Sequence, residues 1–190
     1  MAETVEIRWH GRGGQGARLA AKIIGMAAYL DGKHAQAFSI YGAERRGAPV
    51  AAFVRIDDKE ILERGYIHDP DCVIVLDDTL LGPEIGVFNG LKAGSLVLIN
   101  TKRKIPFKPP KGVEIVPICA TDIALEIFGK PIFNTVMLGP FVRLTGVVKL
   151  NSVKDAIFHQ IGKRKKHLVE QNLKALQRCY NLVCPREEKK

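Results

Sequence analysis

The first residues whose types and spacing suggest chemistry form a glycine-rich segment, Gly11-Arg12-Gly13-Gly14-Gln15-Gly16. It comes after a predicted strand, residues 5–10, and precedes a predicted helix, residues 17–30. Glycines allow tight turns and close approach of a ligand to the backbone, and the N–H groups at a helix start favour phosphate. The segment therefore predicts a phosphate-binding loop, and a tight turn that binds no ligand is the alternative.

The residues after this loop disfavour two common kinds of nucleotide site. An NAD site places an acidic residue at the end of the second strand, roughly 20 residues further on. The predicted second strand, residues 35–40, ends in Phe38-Ser39-Ile40, and the nearest acids are Asp31 and Glu44. A P-loop needs Gly-Lys-Ser/Thr after the glycines, and this sequence lacks it.

A second unusual segment, Tyr41 to Pro49, contains Glu44, Arg45 and Arg46. Because the carboxyl ends of parallel strands share one edge of a sheet, we expect this segment to lie near the glycine-rich segment. Adjacent arginines can bind phosphate or carboxylate through paired hydrogen bonds. A solvated loop whose surface ion pairs contribute little is the alternative.

No other pattern indicates a catalytic or metal centre. The five histidines are scattered, and the four cysteines form no CxxC pair of the kind that binds zinc or iron–sulfur clusters. Cys72 and Cys119 lie in apolar runs and are predicted to be buried thiols, without a disulfide. Asp77-Asp78 comes after an apolar run and is predicted to cap a helix, with a metal or hydroxyl ligand as the alternative.

The order of elements predicts an α/β fold. The uninterrupted apolar run at residues 72–76 is typical of a parallel strand buried on both faces, and further strands are predicted at 50–56, 95–99 and 113–118. We expect a Rossmann-like, mostly parallel sheet flanked by helices, with a C-terminal helical segment, in a single domain spanning residues 1–190.

The remaining helices are predicted from apolar spacing and end signals. They are a short helix within 80–91, one at 121–128 capped by Thr121, a helical stretch at 131–148 that Gly139-Pro140 should kink or interrupt, and one at 152–161 capped by Asn151 or Ser152. The last, at 164–182, carries an apolar stripe. Together with its tail, residues 163–190, it either packs on its own domain or serves as an assembly arm on another subunit.

Composition excludes several classes of protein. The chain has 190 residues, 46% of them hydrophobic and 26% charged, and no apolar run long enough to span a bilayer. Its first residues lack the features of a signal peptide, so we expect a soluble cytoplasmic protein without membrane contact. The net charge is +9, concentrated in segments 102–111 and 163–190. Because neither segment contains a nucleic-acid-binding motif, a solvated tail or an acidic protein partner is the better account.

Several motifs, taken together, carry a resemblance to a known family. They are Gly11 to Gly16, Ala35 to Phe38, Tyr41 to Pro49, Asp77 after its apolar run, Asn100-Thr101 and Asn134-Thr135-Val136-Met137-Leu138-Gly139. The sequence resembles the gamma subunits of 2-oxoacid:ferredoxin oxidoreductases, and in particular those acting on pyruvate (pyruvate synthase). The resemblance extends over about residues 4–183.

The resemblance implies a division of labour among subunits. Such enzymes decarboxylate a 2-oxoacid on thiamine diphosphate with Mg²⁺, pass electrons through [4Fe–4S] clusters to ferredoxin, and transfer the acyl group to coenzyme A. This chain has neither a thiamine-binding motif nor clustered cysteines, so other subunits should hold those cofactors. We expect it to pack against those subunits and to help bind coenzyme A through Gly11 to Gly16, Glu44, Arg45, Arg46 and Asn134. A subunit for another 2-oxoacid and a stand-alone nucleotide-binding module are the alternatives.

Overall fold

The computed structural model describes residues 4–40, 47–105, 109–162 and 166–184, and these residues form one six-stranded sheet with helices. The strands occur in the order β2-β3-β1-β4-β5-β6. Their bounds are β1 (Val5–Arg12), β2 (His34–Ile40), β3 (Pro49–Asp57), β4 (Cys72–Val75), β5 (Leu96–Asn100) and β6 (Glu114–Ile118). The helices are α1 (Ala17–Leu30), α2 (Ala120–Phe128), α3 (Asn134–Thr145), α4 (Leu150–Ile161) and α5 (Lys166–Leu182).

The sheet is mostly parallel, as predicted. Strands β1, β4, β5 and β6 pair in parallel, whereas β3 is antiparallel to both of its neighbours, β1 and β2. The central strands β4 and β5 are fully buried, which explains their uninterrupted apolar sequences. The predicted α/β class and the C-terminal helix are confirmed, but β2 does not lie beside β1, because β3 lies between them.

The main core lies on the face of the sheet that the α-helices cover. Ile7 and Trp9 of β1 lie in this core, together with the apolar side of α1 and residues of all four other helices. Alanines on the buried side of α1 allow the helix to approach the sheet closely. At Gly25 a methyl group would lie 3.1 Å from the Cβ of Ala37 in β2. The small side chains of α1 therefore set its distance from the outer strands.

The opposite face of the sheet is covered without an α-helix among the residues described. The predicted helix within 80–91 is wrong: this stretch contains only 3₁₀ turns, at Asp78–Leu80 and Pro83–Ile85. Gly86 and Gly90 both have positive φ, which ends any regular helix there. Leu80 and Val87 still bury their side chains against β4 and β5, so the segment covers the sheet as coil.

Two arginines on the strands hold the coil segments on this face in place. Arg8 of β1 is buried and donates hydrogen bonds to the carbonyls of Ile67, His68, Val87 and Asn89, at 2.7 to 3.4 Å. Arg55 of β3 donates to the carbonyls of Gly65 and Tyr66 and to Glu6 Oε1. These bonds pair coil carbonyls that have no ladder or helix partner.

Two helix starts and one helix interior differ from the expectations. Helix α2 begins after Cys119, and the hydroxyl of Thr121 bonds Asn100 instead of capping the helix. Helix α4 begins after Lys149, and Ser152 donates to Asp31. Helix α3 continues through Pro140 without interruption. Almost every residue of α3 is buried, and this burial compensates for the backbone hydrogen bond that is lost at Pro140.

The C-terminal helix α5 packs on the chain's own α3. A methyl group on Gly139 of α3 would lie 2.6 Å from the backbone of both Leu176 and Tyr180 in α5. Nearby, the buried hydroxyl of Thr135 donates to Asn172 Oδ1 at 2.5 Å. Of the two alternatives left open by the sequence, packing on its own domain is thus observed. No described helix is both long and apolar enough to cross a membrane.

The contact at Gly139 leads to a stability prediction. Gly139→Ala should lower the free energy of unfolding by about 1–3 kcal/mol, because the new methyl group meets backbone atoms that cannot rotate away. Lys174→Ala, on the exposed side of α5, is the control and should change stability by less than about 0.5 kcal/mol. Urea unfolding followed by circular dichroism measures both. Equal stability of the two variants would contradict close backbone packing of α3 on α5.

Candidate functional site

The glycine-rich segment connects β1 to α1, but its first two residues belong to the strand. Gly11 and Arg12 pair with Val50 and Pro49 of β3, so the turn itself contains residues 13–16. Gly14 and Gly16 have φ of 99° and 86°, a region that favours glycine. The sequence thus needs glycine at these two positions for its backbone path alone.

Side chains of the segment tie it to the loop after β4. Gln15 accepts a hydrogen bond from the Arg12 N–H through Oε1 at 2.7 Å and donates from Nε2 to Asp77 Oδ2 at 2.6 Å. Arg12 donates to Thr79 Oγ1 at 2.7 Å and to the Gly47 carbonyl at 3.0 Å, and lies 3.4 Å from Asp77. Arg12 and Gln15, both predicted ligand residues, therefore fix the loop in place.

Asp77 is the acceptor on which these contacts converge. It also accepts from the Thr79 N–H at 3.0 Å, so the predicted capping role of Asp77 is found at a 3₁₀ turn instead of an α-helix. Partial burial acts to raise the pKa of Asp77, but hydrogen bonds from Thr79 and Gln15 and the charge of Arg12 outweigh it and lower the pKa. The crevice between β1 and β4, where α/β sheets commonly bind nucleotides, is thus bridged by charged and amide side chains.

The turn and the start of α1 leave several backbone N–H groups without hydrogen-bond acceptors in the described part of the chain, next to a cleft. Among the residues described, the N–H groups of Gly14, Gly16 and Ala17 have no hydrogen-bond partner, and α1 has no side-chain cap. They adjoin a cleft of about 380 Å³ whose lining includes Arg18 and Lys22. Sequence reasoning missed these two cations, although their spacing of four residues places them on one side of a helix.

Asn134, one of the predicted site residues, lies against the glycine-rich segment. It is the first residue of α3 and is buried, and a Cβ at Gly16 would lie 2.5 Å from its Nδ2 atom. Only glycine at position 16 therefore lets α3 begin this close to α1. No local sequence pattern indicates this contact, which joins residues 118 positions apart.

Only the end of the arginine-containing segment lies within the described residues. Glu44, Arg45 and Arg46 lie outside them, but Gly47 and Ala48 contact the glycine-rich segment. Gly13 donates to the Ala48 carbonyl at 2.9 Å and accepts from the Gly47 N–H at 3.3 Å. The end of the arginine-containing segment therefore lies beside the loop, at the sheet edge where it was expected.

A buried histidine lies one position before the glycine-rich segment. His10 is on the same face of β1 as Arg8 and Arg12, and its Nε2 atom has no hydrogen-bond partner among the residues described. Burial, and secondarily the charge of Arg8, lower the pKa of His10 to about 3. The imidazole is therefore neutral at physiological pH and contributes no charge to the loop.

The thiols and acidic groups provide little for metal chemistry. Within the described parts of the chain, no three His, Cys, Asp or Glu side chains cluster as metal ligands would. Cys72 is buried as predicted, whereas Cys119, which was predicted to be buried, is exposed because it precedes α2 at the sheet edge. Burial raises the pKa of Cys179 to about 12, so that thiol is unreactive.

Comparison with known proteins gives consistent matches over almost the whole chain. The family described as pyruvate ferredoxin/flavodoxin oxidoreductase matches residues 6–182. Pyruvate synthase subunit PorC of Methanocaldococcus jannaschii is 50% identical over 177 residues, covering 93% of this chain and 96% of that protein. The pyruvate/ketoisovalerate oxidoreductases common subunit gamma of Thermococcus kodakarensis is 47% identical over 184 residues, with the same coverages.

A solved structure supports the fold. The crystal structure of pyruvate oxidoreductase subunit PORC from Thermotoga maritima superimposes with a TM-score of 0.82 at 39% sequence identity. The match covers 95% of this chain and 97% of that chain. The arrangement of strands and helices described above is thus shared with that subunit.

The buried neutral His10 leads to a prediction about acid stability. Below pH 6.5 the unfolded chain binds a proton that folded His10 excludes, so stability falls as the pH falls, by about 2 kcal/mol between pH 7.5 and 5.0. His10→Gln should remove that component, whereas His34→Gln, at an exposed position, should keep it. Urea unfolding of the three proteins at both pH values measures it. The same loss in His10→Gln as in the parent would contradict a buried neutral imidazole.

Proposed function

The chain belongs to the pyruvate ferredoxin/flavodoxin oxidoreductase family, and we propose that it is the gamma subunit of a multisubunit pyruvate:ferredoxin oxidoreductase. The observation that carries the proposal is the near end-to-end match, in both directions, to separate subunits of pyruvate synthase. The complex would convert pyruvate, coenzyme A and two oxidised ferredoxins to acetyl-CoA, CO₂, a proton and two reduced ferredoxins.

In this proposal the chain contributes structure and substrate binding, and other subunits supply the redox chemistry. Thiamine diphosphate, Mg²⁺ and [4Fe–4S] clusters need ligands that neither the sequence motifs nor the described side chains of this chain supply. Its partners would be the thiamine-binding and iron–sulfur subunits, with ferredoxin reached through the complex. Its own contribution would be made where the glycine-rich segment meets α1 and α3.

We further propose that this place binds coenzyme A through its phosphates. A pyrophosphate and a 3′-phosphate need backbone donors and cations, and the N–H groups of Gly14 and Gly16 adjoin a cleft with Arg18 and Lys22. Arg45 and Arg46 would complete the site. The glycine-rich segment would position these donors, and Asn134 would support it from α3. Arg12 is a weaker ligand in this scheme, because Asp77 already shares its charge.

A second candidate function differs only in the oxoacid. The Thermococcus kodakarensis relative is named as a subunit common to pyruvate and ketoisovalerate oxidoreductases. A gamma subunit of this kind would serve enzymes for more than one 2-oxoacid, because substrate choice would be made beside thiamine in other subunits. Assays of the purified complex with pyruvate, 2-ketoisovalerate and 2-oxoglutarate would separate these possibilities.

The division of labour predicts the properties of the isolated chain. Expressed alone, it should fold, contain no stoichiometric iron and reduce no viologen dye with pyruvate and coenzyme A. Its circular dichroism, iron content and dye reduction are the measurements, and the purified complex is the positive control. Stoichiometric iron in the isolated chain would contradict the proposal.

The phosphate site predicts a selective kinetic effect. Charge-assisted hydrogen bonds contribute roughly 1.5–3 kcal/mol, so Arg45→Ala or Arg46→Ala should raise the KM for coenzyme A about tenfold or more. The KM for pyruvate should change little. Lys92→Ala, an exposed change at the amino end of β5, is the control.

The competing interpretation is that these arginines pair with acids on another subunit. It predicts less assembled complex, with an unchanged KM for coenzyme A in the complex that remains. Size-exclusion chromatography before the kinetic assay separates the two interpretations.

A further inference from the structure

The two edge strands of the sheet differ in how they are protected against pairing with another chain. Strand β6 is short and carries Glu114 and Pro117, a charge and a missing N–H donor that both oppose further pairing. Strand β2 has seven residues, His34-Ala35-Gln36-Ala37-Phe38-Ser39-Ile40, with no proline, lysine, glutamate or aspartate. Within the described ranges no strand pairs with its outer side. Such an edge is a ready template for an added strand.

A cavity of about 590 Å³ runs beside β2 on the coil-covered face. Phe38 forms part of its lining and stacks on Phe53 with ring centroids 5.1 Å apart, and Phe53 contacts Tyr66 edge-on at 6.1 Å. Tyr66 is nevertheless 58% exposed. The cavity thus offers an aromatic surface for apolar side chains that project from a strand paired with β2.

Charge indicates what kind of strand would fit. Arg64 lines the cavity beside Tyr66, and Arg18 and Lys22 line a second cleft, of about 290 Å³, on the α1 side of β2. No acidic side chain occurs among the described residues that line either cleft. A second copy of the chain would bring like charges together, and each copy carries a net charge of +9. An acidic segment suits the cavity that Arg64 lines.

We propose that β2 is a docking strand: in the assembled enzyme it pairs with an extended segment of another subunit. That segment would carry apolar side chains at alternate positions for the cavity of Phe38 and Tyr66. It would also carry a carboxylate opposite Arg64. The proposal rests on the proposed function, since it takes the partner from the same complex.

Hydrogen–deuterium exchange tests the pairing directly. Amides of residues 34–40 should exchange about tenfold or more slowly in the purified complex than in the isolated chain. Residues 114–118 of β6 are the internal comparison and should change less. If the β2 amides exchange equally in both states while the complex is active on pyruvate, this inference fails and the proposed function stands. If no complex forms with the other subunits, both fail.

Competition between two chains for incorporation into the complex tests whether the partner segment is acidic. The parent chain and an Arg64→Glu variant are co-expressed with the other subunits, and their ratio in the purified complex is measured by mass spectrometry. Arg64→Glu should be under-represented about tenfold relative to Lys59→Glu, an exposed change on the same coil outside the cavity. Equal incorporation of the two variants would overturn the acidic partner. A concentration-dependent dimer of the isolated chain, abolished by Arg64→Glu, would overturn it in favour of a second copy.

Discussion

The hydrogen bonds of the buried Arg8 guanidinium are the interaction on which one whole face of the sheet depends. They all run to main-chain carbonyls, of two coil segments that are about 20 residues apart in sequence and cover the same strands. Burial lowers the pKa of Arg8, yet these acceptors partly replace its lost hydration. Without this donor set, the carbonyls of Ile67 and Val87 would be buried without partners, and coil could not replace a helix layer.

Because side chains alternate along β1, the face that Arg8 holds also contains residues of the candidate site. Arg8, His10 and Arg12 point to one face, because successive strand residues point to opposite faces. Arg8 fixes the coil that comes after the 3₁₀ turns, and Arg12 contacts Asp77 and Thr79, where the first of those turns begins. The glycine-rich segment is therefore positioned by the side of the sheet opposite to α1, and its conformation depends on both faces.

Features that depend on residues close together in the sequence could be predicted, whereas those that depend on distant contacts could not. The bounds of α1 and the buried strands can be inferred from apolar spacing, and the glycine-rich segment from its position between them. The place of β3 between β1 and β2 could not be predicted, because pairing depends on contacts distant in sequence. The predicted helix within 80–91 is coil, because Gly86 and Gly90 adopt positive φ, which apolar content does not reveal. The contact of Asn134 with Gly16 has no local signal at all.

The hydrogen bonds that Gln15 donates to Asp77 and accepts from the Arg12 N–H have a consequence for binding thermodynamics. A loop already held by its own side chains loses little conformational entropy when a ligand arrives, so more of the interaction energy remains as affinity. The cost of ordering residues 13–16 is met during folding, by contacts that do not involve the ligand. In the proposed coenzyme A site such a loop would select ligands by a fixed shape, and a substitution at Gln15 would weaken binding through the loop's conformation.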